Sequence, residues 1–221
     1  MFIVEGEKSV LEALHSDLEI VFVVATERFV ESHASALRGE IIHVSQHELE
    51  KVGTFKTNDA ALAVARMPQN QFTGFDSHNY TLVLDQVNDP GNLGTIIRLA
   101  DWYGIDTVVV STDTADCYSP KTISATKGSF CRIKVVYTDI VNALKQSDLP
   151  VFGAVMNGDN IHQVDFPEGG IIVMGNEANG ISDEVAALLT HHITIPRFGQ
   201  AESLNVAMAT GIICDNIRRS Q

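Results

Sequence analysis

Apolar residues after position 80 fall into short continuous runs, which are separated by stretches with helical spacing. Runs of this kind, rich in Val, Ile and Leu, are typical of strands buried on both faces, and the intervening helices indicate parallel pairing. The sequence therefore predicts an α/β fold with a parallel sheet covered by helices on both sides. The predicted strands are 81–84, 107–110, 133–136, 151–155, 170–174 and 192–195, followed by a long helix over about 204–218.

The first part of the chain shows the same alternation on a smaller scale. Helical spacing over 9–15 and 27–37 separates short apolar runs, which indicates a small α/β module. Proline, glycine and polar residues interrupt the pattern over 67–79, as is typical of a linker. We therefore expect two domains, residues 1–68 and residues 72–221. The predicted strands of the first domain are 2–4, 20–24, 41–44 and 60–65.

Composition leaves this fold prediction unchanged but bears on the class of protein. Of the 221 residues, 45% are hydrophobic and 19% are charged, a balance typical of a soluble globular protein. No apolar run approaches the roughly 18–20 residues that a membrane span requires, and the first residues lack the pattern of a secretory signal. Cys117, Cys131 and Cys214 have no metal-ligand spacing, and they suit free thiols in a reducing cytoplasm.

The net charge of −13 at pH 7 bears on the partner that we expect. Proteins that grip nucleic acid usually carry a basic surface, and neither residues 1–70 nor residues 71–221 are basic. The sum over the chain does not fix the local field, so a basic cleft is compatible with this charge. On composition alone, we favour a small-molecule enzyme.

The loop after predicted strand 81–84 carries the first candidate chemistry. A Pro-Gly turn follows the strand, and a helix is predicted to open near Asn92, whose side chain suits an N-cap. Gly94 and Arg98 lie one turn apart on that helix. We expect the missing side chain of Gly94 to leave room for Arg98 and for an approaching substrate. Alone, the pattern is equally that of a capped helix with a surface arginine.

Two further loops follow predicted strands in the same way. After strand 170–174, Glu177 stands between Gly175 and Gly180, and a short helix follows with Ser182 as its predicted N-cap. After strand 192–195, a polar loop leads to Ser203, and this residue or a neighbour is predicted to cap the last helix. Alone, Glu177 is also compatible with a solvated loop charge, and the third loop with the start of a plain buried helix.

The three loops together carry a set of motifs that is far more specific than any one of them. In this order, and each after a strand, the motifs resemble those of the SpoU/TrmH branch of the SPOUT superfamily of RNA ribose 2′-O-methyltransferases. The motifs are Asn92-x-Gly94-x-x-x-Arg98, then Met174-Gly175-Asn176-Glu177-x-x-Gly180, then Ile195-Pro196 followed by Ser203-Leu204-Asn205.

The resemblance covers nearly the whole chain and implies a particular fold. The first residues, Phe2-Ile3-Val4-Glu5-Gly6-x-Lys8, are similar to the start of the family's RNA-binding domain, which has an L30e-like fold. The resemblance therefore implies a small N-terminal L30e-like α/β domain and a C-terminal parallel-sheet SPOUT domain. It also implies a trefoil knot at the C-terminal end, which general rules on chain connections would not predict.

The resemblance further implies an activity: transfer of a methyl group from S-adenosylmethionine to a ribose 2′-hydroxyl of structured RNA, either rRNA or tRNA, with no metal ion. In the family, the arginine that matches Arg98 is often proposed as the base that takes the 2′-proton. Because a guanidinium stays protonated, we instead expect Arg98 to bind the adjacent phosphate and stabilise the 2′-oxyanion. The proton acceptor and the modified nucleotide stay open. The residues implied to line the catalytic centre are Asn92, Arg98, Glu177, Ser203 and Asn205, and those implied to hold the cofactor are Met174, Gly175, Ile195, Leu204 and Asn205.

A homodimer built on the C-terminal domain is also implied. We expect the small residues Ala207, Ala209 and Gly211 to let the last helix pack on a partner. One alternative is a non-catalytic RNA-binding protein that retains the fold, and the intact motif set argues against it. Another is a nucleotide-binding α/β enzyme that acts on a small molecule. Its usual mark is Gly-x-Gly-x-x-Gly after the first strand of the parallel sheet, and Asn92-Leu93-Gly94 does not provide it.

Overall fold

The first four strands form a mixed sheet in the computed structural model, which describes residues 1–219. These strands are β1 (Phe2–Glu5), β2 (Ile20–Ala25), β3 (Glu40–His43) and β4 (Ala61–Ala65). Helices α1 (Glu7–Leu14), α2 (Glu27–His33) and α3 (Gln46–Val52) alternate with them. Strand β4 lies between β1 and β2 and is antiparallel to both, whereas β3 is parallel to β2. The predicted small α/β module is therefore present.

Local sequence sets the starts of two of these helices. The Thr26 hydroxyl accepts a hydrogen bond from Phe29 N–H at the start of α2. Ser45 and Glu48 form a capping box at the start of α3, in which each side chain bonds the other residue's main-chain N–H. These caps satisfy N–H groups that have no partner inside the helix, so they fix where each helix begins.

The remaining six strands form one parallel sheet, as predicted. They are β5 (Tyr80–Leu84), β6 (Thr107–Val110), β7 (Lys134–Tyr137), β8 (Val151–Asn160), β9 (Gly170–Met174) and β10 (His191–Thr194). Their order in the sheet is β10-β8-β9-β5-β6-β7. Strand β8 extends past the predicted end at 155 because Asp159 and Asn160 pair with Ile193 and Thr194 beyond an irregularity in the register.

Within residues 1–219, five α-helices accompany this sheet: α4 (Pro90–Trp102), α5 (Pro120–Thr126), α6 (Ile140–Lys145), α7 (Asp183–Ala186) and α8 (Val206–Arg219). Alternate residues of the strands face two helical layers. Leu82 and Leu84 lie in a core with α4 and α8, whereas Val83 lies in a second core with α6 and α7. No helix in this described part of the chain combines the length and the apolar character needed to cross a membrane.

The connection between the two sheets, residues 66–79, contains no helix or strand. The sheets are nevertheless joined by packing, because Ile123 of α5 and Phe130 lie in the core of the N-terminal module. The Phe2 ring lies 4.6 Å from the Tyr118 ring and 6.0 Å from the Phe130 ring, measured between centroids. The N-terminal module therefore shares an apolar junction with the segment around α5.

One predicted helix cap differs from the structure, and another is resolved by it. Helix α4 begins at Pro90, and its N-cap is Asp89, whose carboxylate accepts a hydrogen bond from Asn92 N–H; Asn92 is not the cap. Proline lacks an N–H to satisfy, so it suits the first position of the helix. At α8 the neighbour of Ser203 does the capping: Asn205 Oδ1 accepts from Ala207 N–H and Met208 N–H. Capping by Asp89 leaves the Asn92 side chain free for other contacts.

The expected use of Gly94 is also wrong. A Cβ on Gly94 would lie 2.6 Å from Ala125 Cβ and 2.6 Å from the Thr122 carbonyl oxygen, so the space beside it belongs to α5. Glycine is required here because two helix backbones approach closely, and the residue leaves no opening for a substrate.

The small residues of α8 pack against other parts of this chain. Ala207 is 3% exposed within that core, and Ala209 is partly buried against it. A Cβ on Gly211 would lie 3.4 Å from the Leu99 side chain of α4. The expectation that Ala207 contacts a second chain is therefore wrong, since its side chain already packs inside its own.

Candidate active site

Three side chains, one from each of the three loops, bond directly to one another. Asn92 Nδ2 donates to Glu177 Oε1 at 2.7 Å, and Asn205 Nδ2 donates to Asn92 Oδ1 at 2.9 Å. An amide offers both a donor and an acceptor, which an ionised carboxylate does not, and Asn92 uses both. The structure thus brings together three of the five residues predicted to line the catalytic centre. We call them the Asn92–Glu177–Asn205 network.

The capping residue of α4 fixes the position of Asn92. Asp89 Oδ1 accepts from Asn92 N–H at 2.9 Å, while Lys121 Nζ donates to Asp89 Oδ2 at 2.8 Å. The hydrogen bond from Lys121, together with that from Asn92 N–H, lowers the pKa of the Asp89 carboxyl below its usual value. The cap therefore remains a charged acceptor under mildly acidic conditions.

The loop after β9 is a tight turn that presents Glu177. Asn176 and Gly180 exchange two main-chain hydrogen bonds, at 2.8 and 2.9 Å. A Cβ on Gly175 would lie 2.2 Å from the carbonyl carbon of Gly180 and 2.3 Å from Ile181 N. Gly180 has a φ of +71°, in the left-handed region that favours glycine. The two glycines of the motif thus serve the backbone of the turn, and the turn places the carboxylate beside Asn92.

Two residues at the end of β5, which the sequence analysis did not single out, hold this turn. Asp85 is 2% exposed, and its Oδ2 accepts from Ser182 N–H at 2.7 Å. The Gln86 carbonyl accepts from Asn176 Nδ2 at 2.7 Å, and Gln86 has a φ of +58°, which is uncommon outside glycine. The signal available in the sequence was a carboxylate directly after an apolar strand, where a buried charge requires a partner.

The loop after β10 supplies three further predicted residues, and Met174 is the last residue of β9. Ser203 and Leu204 are exposed, and Ile195 is partly buried against the core. Met174 is buried, and its carbonyl oxygen accepts from Asp85 N–H at 2.9 Å. Ser203 makes no hydrogen bond to any of residues 1–219, so its hydroxyl is available to a ligand.

Arg98 lies apart from the Asn92–Glu177–Asn205 network. It is exposed on α4, more than one turn beyond Asn92, and its guanidinium forms no hydrogen bond or ion pair with the described part of the chain. A protonated guanidinium in this position can contact an anion that approaches from outside.

The loops around the network fit a nucleoside-type cofactor by the chemistry of their main chain. Within the described residues, the only hydrogen bond to the main chain from Pro196 to Leu204 runs from Arg197 Nη1 to the Ala201 carbonyl. The other N–H and C=O groups of this loop can bond the edge of an adenine. Leu204 supplies an exposed apolar side chain beside them.

An open cleft of about 810 Å³ lies elsewhere, in the N-terminal module. Both charge signs line it, including Arg28, His43 and Glu48, and it contains none of the predicted site residues. Its mixed charge and its position give no reason to move the candidate active site away from the three loops.

Known proteins resemble this chain along almost its full length. A 23S rRNA (guanosine(2553)-2′-O)-methyltransferase from Bacillus subtilis is 32% identical, over 98% of this chain and 88% of that protein. A TrmH-family structure from Porphyromonas gingivalis matches with a TM-score of 0.89 and 35% identity, over 100% of this chain and 90% of the other. An rRNA methyltransferase from Sinorhizobium meliloti, solved with S-adenosylmethionine bound, matches with a TM-score of 0.89 and 28% identity, over 99% and 87% of the two chains.

The model of the SpoU rRNA methylase family matches residues 79–215, the segment that holds the six-stranded sheet and all three loops. The match spans more than half of the chain and agrees with the resemblance predicted from the motifs. The chain belongs to the SpoU rRNA methylase family.

Proposed function

We propose that this protein transfers a methyl group from S-adenosylmethionine to a ribose 2′-hydroxyl of rRNA or tRNA. The observation that carries the proposal is the Asn92–Glu177–Asn205 network, which joins the three family loops at the carboxyl ends of parallel strands. Ligands of open α/β sheets bind at that edge. The named functions of the relatives support the same activity.

The cofactor would be held mainly by main-chain groups. The turn at Gly175 and the loop from Ile195 to Leu204 supply donors and acceptors, while Leu204 supplies an exposed apolar side chain. Asn205 would hold the third loop in place through its bond to Asn92. When bound, S-adenosylmethionine supplies an electrophilic methyl group on a sulfonium.

We also infer that the chain after β9 forms the trefoil knot of a SPOUT domain. Strand β9 lies inside the sheet, β10 lies at the edge beside β8, and α8 returns to pack on α4. The chain thus passes outward and back across the same end of the sheet. A knot would brace the three loops against each other without any ligand.

The chain's own residues have distinct tasks in this proposal. Arg98 binds the phosphate next to the target ribose and stabilises the developing 2′-oxyanion, because an exposed guanidinium is a planar multiple donor. Glu177 and Ser203 orient the RNA or neighbouring groups. In-line geometry between hydroxyl and methyl is the main requirement, so fixing the loops is the chief contribution of the network.

We propose that residues 1–68 form an L30e-like RNA-binding domain and residues 72–221 the SPOUT methyltransferase domain. The separate four-stranded sheet supports this division. The three free thiols are compatible with action in the cytoplasm. Because the chain is acidic overall, RNA affinity would come from local contacts at both domains, whose weak contributions multiply.

We propose a homodimer through the outer face of α4 and α8. Trp102 is 80% exposed and Met208 is 62% exposed, and large apolar side chains at such exposure suit a contact between chains. The two helices run side by side, since Arg218 Nε donates to the Tyr103 carbonyl near their ends. Light scattering at micromolar concentration should give about twice 24.0 kDa, and Trp102→Glu should reduce this mass to the monomer.

Methyl incorporation into RNA tests the activity. The purified protein and labelled S-adenosylmethionine are incubated with RNA from cells that lack the protein, and RNA from cells that contain it is the matched control. Label is expected only in the first RNA, at a nucleotide that resists alkaline cleavage. Arg98→Ala should abolish incorporation while leaving cofactor affinity unchanged, and Arg98→Lys should also be poor.

Binding of cofactor and RNA without incorporation would instead support the non-catalytic alternative. Failure to bind S-adenosylmethionine in calorimetry would favour the small-molecule enzyme and contradict the proposal.

A further inference from the structure

One side chain connects the N-terminal module to the helix that carries Asn92 and Arg98. Arg132 Nη1 donates to Glu12 Oε2 of α1 at 2.6 Å. Its Nε and Nη2 donate to the Asp101 carboxylate of α4, at distances from 2.9 to 3.2 Å. Arg132 therefore bridges two carboxylates that lie 89 positions apart in the sequence and in different modules.

The surroundings of Arg132 hold this bridge in one geometry. Ser129 Oγ donates to Asp101 Oδ2 at 2.7 Å, so the carboxylate is bonded from two directions. A Cβ on Gly128 would lie 2.7 Å from Glu12 Cγ, and Gly128 has a φ of +103°. The glycine thus lets the backbone before Arg132 approach the Glu12 side chain closely.

The bridge lies beside the apolar junction formed by Phe2, Tyr118 and Phe130. That junction supplies cohesion, since apolar burial is large and has little directional preference. A planar guanidinium held by two carboxylates is directional, so it selects one orientation of the contact. The Arg132 side chain is 48% exposed, so water screens these ion pairs and they contribute little to global stability; orientation is therefore the effect to be expected from Arg132.

We propose that Arg132 is a positioning residue that fixes the orientation of the N-terminal module relative to the methyl-transfer site, so that an RNA bound to the module presents its ribose at α4. This inference rests on the proposed function. The KM for an RNA that contacts both modules should therefore depend on Arg132, whereas the affinity for S-adenosylmethionine should not.

Two substitutions separate orientation from folding. Glu12→Gln keeps the shape of the side chain and leaves the Arg132–Asp101 pair intact, whereas Arg132→Met removes both pairs. The control is Arg66→Met, because Arg66 Nε forms an ion pair of the same length, 2.6 Å, with Glu19, and this more exposed pair lies wholly within the N-terminal module. Initial rates are measured over a range of concentrations of a long structured RNA substrate.

Both test variants should raise the KM for this RNA about fivefold, while kcat and cofactor affinity stay within about twofold of the unsubstituted protein. Arg132→Lys should recover part of the loss, since a lysine can reach one carboxylate. Arg66→Met should leave KM unchanged. Unchanged KM in Arg132→Met, or a fall in kcat with KM intact, would overturn the proposal.

A distance measurement tests the orientation without activity. Spin labels are placed at exposed positions on α2 and α6, one in each module, in the full chain. Arg132→Met and Glu12→Gln should broaden or shift the distance distribution, whereas Arg66→Met should not. A distribution unchanged in Arg132→Met contradicts the inference. If the unsubstituted protein neither binds cofactor nor methylates RNA, the proposed function fails separately, and this measurement still decides the role of Arg132.

Discussion

Asn92 Nδ2 donates to Glu177 Oε1 at 2.7 Å, and this contact joins residues 85 positions apart at the mouth of the parallel sheet. Asn92 also accepts a hydrogen bond from Asn205. The Asn92 side chain therefore connects all three loops. Its amide nitrogen must be a donor, since the partner atom belongs to a carboxylate.

Asn92→Asp should disrupt the network because it places a second carboxylate against Glu177 while keeping an acceptor for Asn205. Misplaced loops should lower kcat/KM for RNA methylation about 100-fold, with little change in the free energy of unfolding because the site is solvent-accessible. Asn142→Asp is the control, since Asn142 N–H likewise donates to a capping aspartate, Asp139 before α6, and its side chain donates to that aspartate and not to the network. Wild-type turnover in Asn92→Asp would show that the network is dispensable.

Gly175→Ala should abolish cofactor binding by displacing the turn after β9. The added Cβ would lie within 2.5 Å of the main chain of Gly180 and Ile181, which no side-chain rotation can relieve. Calorimetry should show a Kd for S-adenosylmethionine that is raised more than about tenfold, because overpacking shifts the backbone. Gly211→Ala is the control, because it lies outside the cofactor loops and its added Cβ would meet only the Leu99 side chain, at 3.4 Å. Equal affinities in the two variants would exclude this turn from the cofactor site.

Gly94→Ala should lower the free energy of unfolding by about 1–3 kcal/mol, since its Cβ would collide with α5. Gly211→Ala on α8 is the contrasting case, because its Cβ would make ordinary contact with Leu99. Alanine in a helix interior is favoured over glycine by about 0.5–1 kcal/mol, so this variant should be neutral or slightly more stable. Urea unfolding monitored by circular dichroism compares the two. The same stability in both would contradict the close approach of α4 and α5.

The Asp89 cap should make the stability of the protein depend on pH. The pKa of Asp89 is lowered in the folded chain by the hydrogen bonds from Lys121 and Asn92, so its contribution is present above the unfolded pKa. That contribution is lost as pH falls from about 4 through the lower folded pKa. Asp89→Asn should therefore lower Tm at pH 7 relative to the unsubstituted protein, and the difference should shrink toward pH 2–3. A Tm difference that is constant with pH would show that the charge of Asp89 contributes nothing.

The sequence by itself determined the alternation of strands and helices, because continuous apolar runs can be buried only in a sheet covered on both faces. It also placed the three polar loops after strands. Because the carboxyl ends of parallel strands lie at one edge of the sheet, the sequence also indicated that the three loops are close together. The motif residues Asn92, Glu177 and Asn205 could be named because the types of side chain and their spacing match a known family.

Only the tertiary structure decided how these residues are used, because each use depends on a neighbour that is distant in sequence. Asp89 caps α4 in place of Asn92, and α5 occupies the space beside Gly94. The side chain of Ala207 packs inside its own chain. Local periodicity specifies which face of a helix is apolar or small, but it does not specify what packs against that face. For the same reason, the sequence did not predict that Asp85 binds Ser182 N–H or that Arg132 bridges Glu12 and Asp101. The packing of whole modules decides these partners.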